Sequence, residues 1–290
     1  MGDSSTLKHE YREINGVRLH CVVAGSGRLV VLLHGFPEFW YSYREQIPVL
    51  AQHFTVVAPD MRGYNLSSKP VRITDYVIPT LVEDVVQLIH SFGAEQAHIV
   101  GHDWGGIIAW ATALNRPDVT TSLSVMNAPH PRIFSQNLLT NRRQVARSWY
   151  IGLFQLPWLP EFVIRARNYE FIERAFRGMG VHKEQYTPDV IAAYKAAMAQ
   201  PGAAGAAVNY YRAIGRPASQ RAFTAANPVA TMPVQVIWGE HDTALGKELN
   251  EGLERYVPDL TLHFIPDASH WVQQDRPDLV NQYLLEFLLR

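Results

Sequence analysis

One cysteine, Cys21, is all this chain has, so no internal disulfide can hold it together. It is expected as a small side chain packed in an N-terminal strand. Long apolar runs are missing as well, and nothing approaches the ~18 residues of a membrane span. The opening stretch MGDSSTLKHEYRE has no apolar signal-peptide region. Its first six residues resemble an N-acylation pattern, which any small, polar chain start satisfies by chance. No charge of one sign dominates: 26 Lys and Arg face 27 Asp and Glu, a formal net charge of −1. That balance argues against a nucleic-acid partner and against an anionic membrane surface. HExxH, Cys/His clusters and a glycine-rich phosphate loop are absent, so neither a metal nor an organic cofactor is expected. Internal repeats and low-complexity tracts are absent too. What remains suits one large α/β domain with an insertion: 290 residues, 47% hydrophobic and 18% charged. A cytoplasmic enzyme is the default expectation, as a monomer or a homodimer.

Apolar runs and turn signals set a strand–helix rhythm. Residues 11–24 alternate around Asn15-Gly16, a two-residue hairpin signal. Residues 28–33 form a continuous apolar strand that ends in His34-Gly35-Phe36-Pro37, with Pro37 suited to a cis bond. Helical periodicity follows over 41–51, a buried strand over 54–59, and a helix over 78–92 with Val82, Val85, Val86 and Ile89 on one face. Strands are predicted at 97–100 and 121–126, with a buried helix over 104–114. This alternation implies a mostly parallel sheet, eight strands in all, with helices on both faces. Residues 131–225 break the rhythm: they are helical, rich in Arg and aromatics, and hold no convincing strand. Strands at 234–239 and 261–266 and a helix at 277–289 restore it. The expected layout is a core of residues 1–130 and 226–290, capped by 131–225 over the sheet edge where open α/β sheets bind ligands.

The most informative stretch is Gly101-His102-Asp103-Trp104-Gly105, between a buried strand and a buried helix. It has the layout of a nucleophile elbow with Asp in place of Ser. Glycines let strand and helix approach around a strained turn, and the helix N-terminus favours negative charge. An Asp here could also be a plain helix cap. A nucleophile needs a base, and chain order in such elbows is nucleophile, acid, histidine. His270, in a loop before the last helix, occupies the histidine's place, and Asp242 follows the penultimate strand as the acid that would orient it. Glu240 and Asp267 are rival carboxylates with the character of exposed loop charge. Two backbone N–H groups, from Phe36 and Trp104, are placed to form an oxyanion hole. A carboxylate is ill suited to attack an ester carbonyl, because an anhydride would result. It suits an sp³ carbon bearing a leaving group, because the product is a cleavable ester.

HGFPEFWYSYREQIPVLA, DMRGY, GHDWGG and WGEHD together resemble the epoxide hydrolases of the α/β-hydrolase fold, across nearly the whole chain. The resemblance implies two cap tyrosines that hold and protonate the epoxide oxygen. Trp149-Tyr150-Ile151-Gly152-Leu153-Phe154-Gln155 matches the setting of one, and Asn209-Tyr210-Tyr211-Arg212 is similar to that of the other. Tyr150 and Tyr211 are the implied donors, with Tyr210 as a rival, and an ordinary phenol pKa near ~10 is expected for them. Phe36, Trp104, Trp149, Leu153, Phe154 and Trp271 are expected to wall a pocket for a small apolar epoxide, with water as co-substrate. Haloalkane dehalogenases share the Asp elbow and are the alternative. Phe36, where they commonly carry Asn, speaks against them, and Trp104 and Ile107 replace the arginines of fluoroacetate dehalogenases. Asn65 departs from the usual Gly-Tyr-Gly of the epoxide hydrolases. A binding protein of this fold that has lost catalysis is disfavoured, because Asp103, Asp242 and His270 are all kept.

Overall fold

The computed structural model describes residues 7–223 and 227–290. The acylation-like pattern of residues 1–6 and the expected 225/226 boundary of the insertion lie outside them. Among the described residues, eight strands form one sheet: β1 (Lys8–Ile14), β2 (Val17–Gly25), β3 (Leu29–Leu33), β4 (Thr55–Pro59), β5 (Ala97–His102), β6 (Thr120–Met126), β7 (Val234–Gly239) and β8 (Leu260–Ile265). Their order is β1-β2-β4-β3-β5-β6-β7-β8, and β2 alone runs against the others. The β1–β2 turn has positive φ at both Asn15 and Gly16, as a primed two-residue hairpin turn requires. Cys21 sits buried in β2, and burial, then the nearby Asp60 charge, pushes its thiol pKa up to about 12.

Alternation along the strands divides the core. Val31, Ile99, Leu123 and Val236 face one side, while Val30, Leu32, Val100 and Ile237 face the other. Three helices come before the insertion: α1 (Ile47–Leu50), α2 (Ile78–Ser91) and α3 (Trp104–Asn115). Helices α2 and α3 pack on the first side, and α1 on the second. The helix expected over 41–51 is instead a 3₁₀ turn, Trp40–Tyr43, followed by the single turn of α1. Pro48 lacks an N–H and fits only in a first helical turn, so no helix can run through it.

Among the described residues, seven helices fill the insertion: α4 (Pro131–Thr140), α5 (Arg142–Arg147), α6 (Trp149–Leu153), α7 (Leu159–Met179), α8 (Pro188–Met198), α9 (Ala203–Ile214) and α10 (Pro217–Phe223). Helix α7 is broken at Ala166–Tyr169, where Arg167, Asn168 and Tyr169 have left-handed φ. Back in the sheet region, α11 (Val272–Asp275) and α12 (Pro277–Leu288) close the chain, with α12 against the second side. Asp275 ties the two parts together. Its carboxylate accepts from Ser269 N at 2.7 Å, Tyr186 Oη at 2.8 Å, His182 N at 3.2 Å and Val181 N at 3.3 Å.

Candidate active site

Asp103 ends β5 and begins α3 with φ +50° and ψ −119°, a conformation that L side chains rarely adopt. The neighbouring glycines make it possible. A Cβ on Gly105 would lie 2.0 Å from Leu33 O, and one on Gly35 would lie 2.4 Å from Asp103 Cβ. The side chain makes no capping bond to its own helix. Its Oδ1 instead accepts from Phe36 N at 2.7 Å, in the loop after β3, where the Phe36–Pro37 bond is cis. Trp104 is the first residue of α3, so its N–H is free of the helix ladder and the helix dipole favours negative charge there.

His270 Nε2 lies 3.5 Å from Asp103 Oδ2, and Nδ1 lies 2.7 Å from Asp242 Oδ2. Asp242 is buried and held from three sides: by Asn127 Nδ2 at 2.7 Å and by the N–H groups of Ala244 and Leu245, both at 2.8 Å. Glu240 instead pairs with Lys247, and Asp267 with Arg276, both toward the surface. Burial alone would lower the pKa of His270. The charge of Asp242 and hydrogen bonds to Asp103 and Asp242 outweigh it and raise the pKa well above the ordinary value. For Asp103, burial would raise the pKa, but the hydrogen bond and charge of His270 bring it below the usual carboxylate range. Both shifts favour the charged forms, carboxylate on Asp103 and imidazolium on His270.

Above this pair lies a cavity of about 340 Å³, into which the sheet contributes Phe36, Asp103, His270 and Trp271 and the insertion contributes Tyr150, Leu153, Phe154 and Tyr211. Tyr211 packs edge-on against Trp104, Phe36 and Phe154, with ring centroids 5.0, 5.5 and 4.6 Å away, and Tyr150 is 6.0 Å from it. Among the described residues, no group of three or more His, Cys, Asp or Glu is arranged to hold a metal ion.

Comparison with known proteins agrees with this geometry. The family described as alpha/beta hydrolase fold matches residues 28–277. Epoxide hydrolase 4 of Homo sapiens is 36% identical, over 99% of this chain and 81% of its own. The AB hydrolase superfamily protein YfhM of Bacillus subtilis is 40% identical, over 97% of this chain and 98% of its own. Among solved structures, a Bacillus megaterium epoxide hydrolase in complex with an inhibitor is similar at TM-score 0.91 and 35% identity, covering 97% of this chain and 100% of that one. The chain belongs to the epoxide hydrolase family of the α/β-hydrolase fold.

For this epoxide hydrolase family member, several expectations need revision. Tyr150 and Tyr211 do not keep an ordinary phenol pKa. Burial first, then the charge of Asp103, raises both. Tyr210 is turned away: its hydroxyl donates to Arg62 O at 2.7 Å, and it does not line the 340 Å³ cavity. Trp104 does not wall that cavity either. It borders a smaller void of about 30 Å³ behind Tyr211. Trp149 lines the cavity only at its rim, being 67% exposed.

Other residues of this site escaped sequence reasoning. Arg147 and Arg174 line the cavity beside Trp149. Beneath His270, buried His102 presents Nε2 to His270 O at 2.7 Å and Nδ1 to Glu38 Oε2 at 2.8 Å. Oxygen atoms thus face both ring nitrogens and fix the orientation of the ring. Glu38 also accepts from Gln273, Gln274 and Gly35 N. Glu38 stands inside HGFPEFW and His102 directly before Asp103; a polar residue within each of these two motifs was the available signal.

Proposed function

We propose that this protein opens apolar epoxides to vicinal diols through a covalent ester on Asp103. The observation that carries the reading is one cavity. On its floor the Asp103 carboxylate sits 3.5 Å from His270 Nε2, and its walls bring in Tyr150 and Tyr211 from the insertion. On this reading residues 131–225 are a lid domain that supplies the acid groups. Similarity to named epoxide hydrolases supports the same assignment.

In the first step an Asp103 oxygen attacks an epoxide carbon from the side opposite its C–O bond. That bond breaks, and negative charge develops on the ring oxygen. The hydroxyls of Tyr150 and Tyr211 hydrogen-bond this oxygen, and one of them transfers its proton. Their raised pKa values keep both hydroxyls protonated beforehand and narrow the gap to the strongly basic alkoxide. Aromatic walls exclude water and strengthen these contacts.

Forming the ester removes the negative charge of Asp103. The largest support for protonated His270 that remains is Asp242, so its pKa falls and the imidazole gives up its proton, which restores the tyrosinate left by ring opening. His270 then takes a proton from water, and the hydroxide formed attacks the ester carbonyl carbon. The tetrahedral oxyanion lies within reach of the Phe36 and Trp104 N–H groups. It collapses as the hydroxyl that came from water passes its proton to the departing alkoxide, which gives the diol and the free Asp103 carboxylate beside protonated His270.

Intact-mass measurement on His270→Gln tests the scheme. Mixed with styrene oxide, the variant should gain the mass of one substrate, while the wild type forms diol and returns to its own mass. An unmodified variant beside an active wild type sinks the ester mechanism. Bromide release from 1-bromobutane with no diol from any epoxide moves the protein to the dehalogenases.

A further inference from the structure

The near-zero net charge conceals two opposed halves. Residues 131–225 hold thirteen Lys and Arg against five Asp and Glu, a surplus of eight positive charges. The rest of the chain holds thirteen against 22, a deficit of nine. From Val119 to Pro160 there is no acidic residue at all. Arg142, Arg143, Arg165 and Arg174 are exposed on this part.

Large apolar side chains of the same insertion are exposed as well: Leu139 at 87%, Trp158 at 71%, Trp149 at 67% and Phe162 at 63%. The insertion's surface meets the cavity at Arg147, Trp149 and Arg174, which line it. Arginines interleaved with exposed indole and phenyl rings suit the lipid–water interface, where rings settle at headgroup depth and cations meet anionic lipid.

We propose that this face of the insertion docks on an anionic lipid bilayer, so that lipophilic substrates pass from the interface into the cavity. The passage of substrate rests on the epoxide-opening reading; the docking does not. A two-fold dimer through this face would set two strongly positive surfaces against each other. Packing against the acidic part of a second copy would be head-to-tail and open-ended. Nucleic acid would match the arginines but leave Leu139, Trp158 and Phe162 in water. An anionic bilayer satisfies both halves of the surface.

The test is cosedimentation of the whole protein with phosphatidylcholine vesicles, with and without about 30% phosphatidylglycerol. Binding should be about tenfold stronger to the anionic vesicles and should weaken as salt rises from about 0.1 M to 0.5 M. Arg142→Glu/Arg143→Glu and Trp158→Ser/Phe162→Ser should each cut binding by about tenfold or more, with turnover of a water-soluble epoxide unchanged. Absence of wild-type binding to anionic vesicles overturns the proposal, as does equal, salt-insensitive binding to neutral ones. A dimer in sedimentation velocity that Trp158→Ser/Phe162→Ser dissolves, without vesicle binding, assigns the face to a second copy and also overturns it. Vesicle binding by a protein inert toward epoxides leaves docking standing and removes the substrate passage alone.

Discussion

Removing single hydroxyls from neighbouring tyrosines separates the residues that touch the reacting oxygen from those that only build the wall. Tyr150 and Tyr211 line the cavity with Asp103, whereas the Tyr210 hydroxyl is spent on Arg62 O at 2.7 Å. In each Tyr→Phe variant the ring stays packed, so Tyr211→Phe keeps its edge contacts with Trp104, Phe36 and Phe154. On the proposed mechanism the loss is one donor aimed at developing negative charge in a dry site, and such a donor contributes about 10²–10³ in rate, or ~3–4 kcal/mol. Tyr150→Phe and Tyr211→Phe should each slow ring opening by about that factor, and the double variant should show none. Tyr210→Phe should keep ring opening within about tenfold of wild type while losing ~1 kcal/mol of stability with its buried hydrogen bond. The assay is the rate of mass gain in a His270→Gln background, which reads ring opening without hydrolysis, beside urea unfolding of each variant. A fast Tyr211→Phe together with a dead Tyr210→Phe would refute this placement of the donors.

Charge coupling in the site gives a pH prediction. His270 owes part of its raised pKa to Asp103, so Asp103→Asn should move its titration down toward the ordinary value while Asp242 keeps it elevated. NMR titration of the His270 ring checks this, and an unchanged or higher pKa contradicts the charge-cycling step. A stability prediction concerns Asp275. Asp275→Ala strips the acceptor from buried Ser269 N–H and Tyr186 hydroxyl at once, which should cost ~3 kcal/mol and lower Tm by several degrees. Asp275→Asn keeps one acceptor oxygen and should recover about half of that loss in thermal unfolding.

How much was legible in the sequence follows from how local each feature is. The elbow occupies one strand–turn–helix, so Gly101, Asp103, Trp104 and Gly105 declare it over a few residues. The histidine and its acid are placed by chain order on a sheet whose strand succession is visible as apolar runs. No continuous helix runs over 41–51 despite the periodicity there, because Pro48 lacks the N–H that a helix interior needs. Glu38 and His102 were visible as residues but not as a pair. Sixty-four positions separate them in the chain, and only the sheet brings their side chains to 2.8 Å.

By itself, then, the sequence determined the strand–helix alternation, the carboxylate at the elbow, the histidine–aspartate pair that serves it and the aromatic character of the cavity. Each depends on spacing along the chain or on residue type, which the sequence states directly. Tertiary structure alone decided which of two adjacent tyrosines lines the cavity. One residue along a helix is a turn of about 100°, and only the packing of α9 against Tyr64, Tyr76 and Trp104 selects the face. It also decided the proton affinities of Tyr150, Tyr211, Asp103 and His270, because burial and charge distance set them and neither is a property of a single residue.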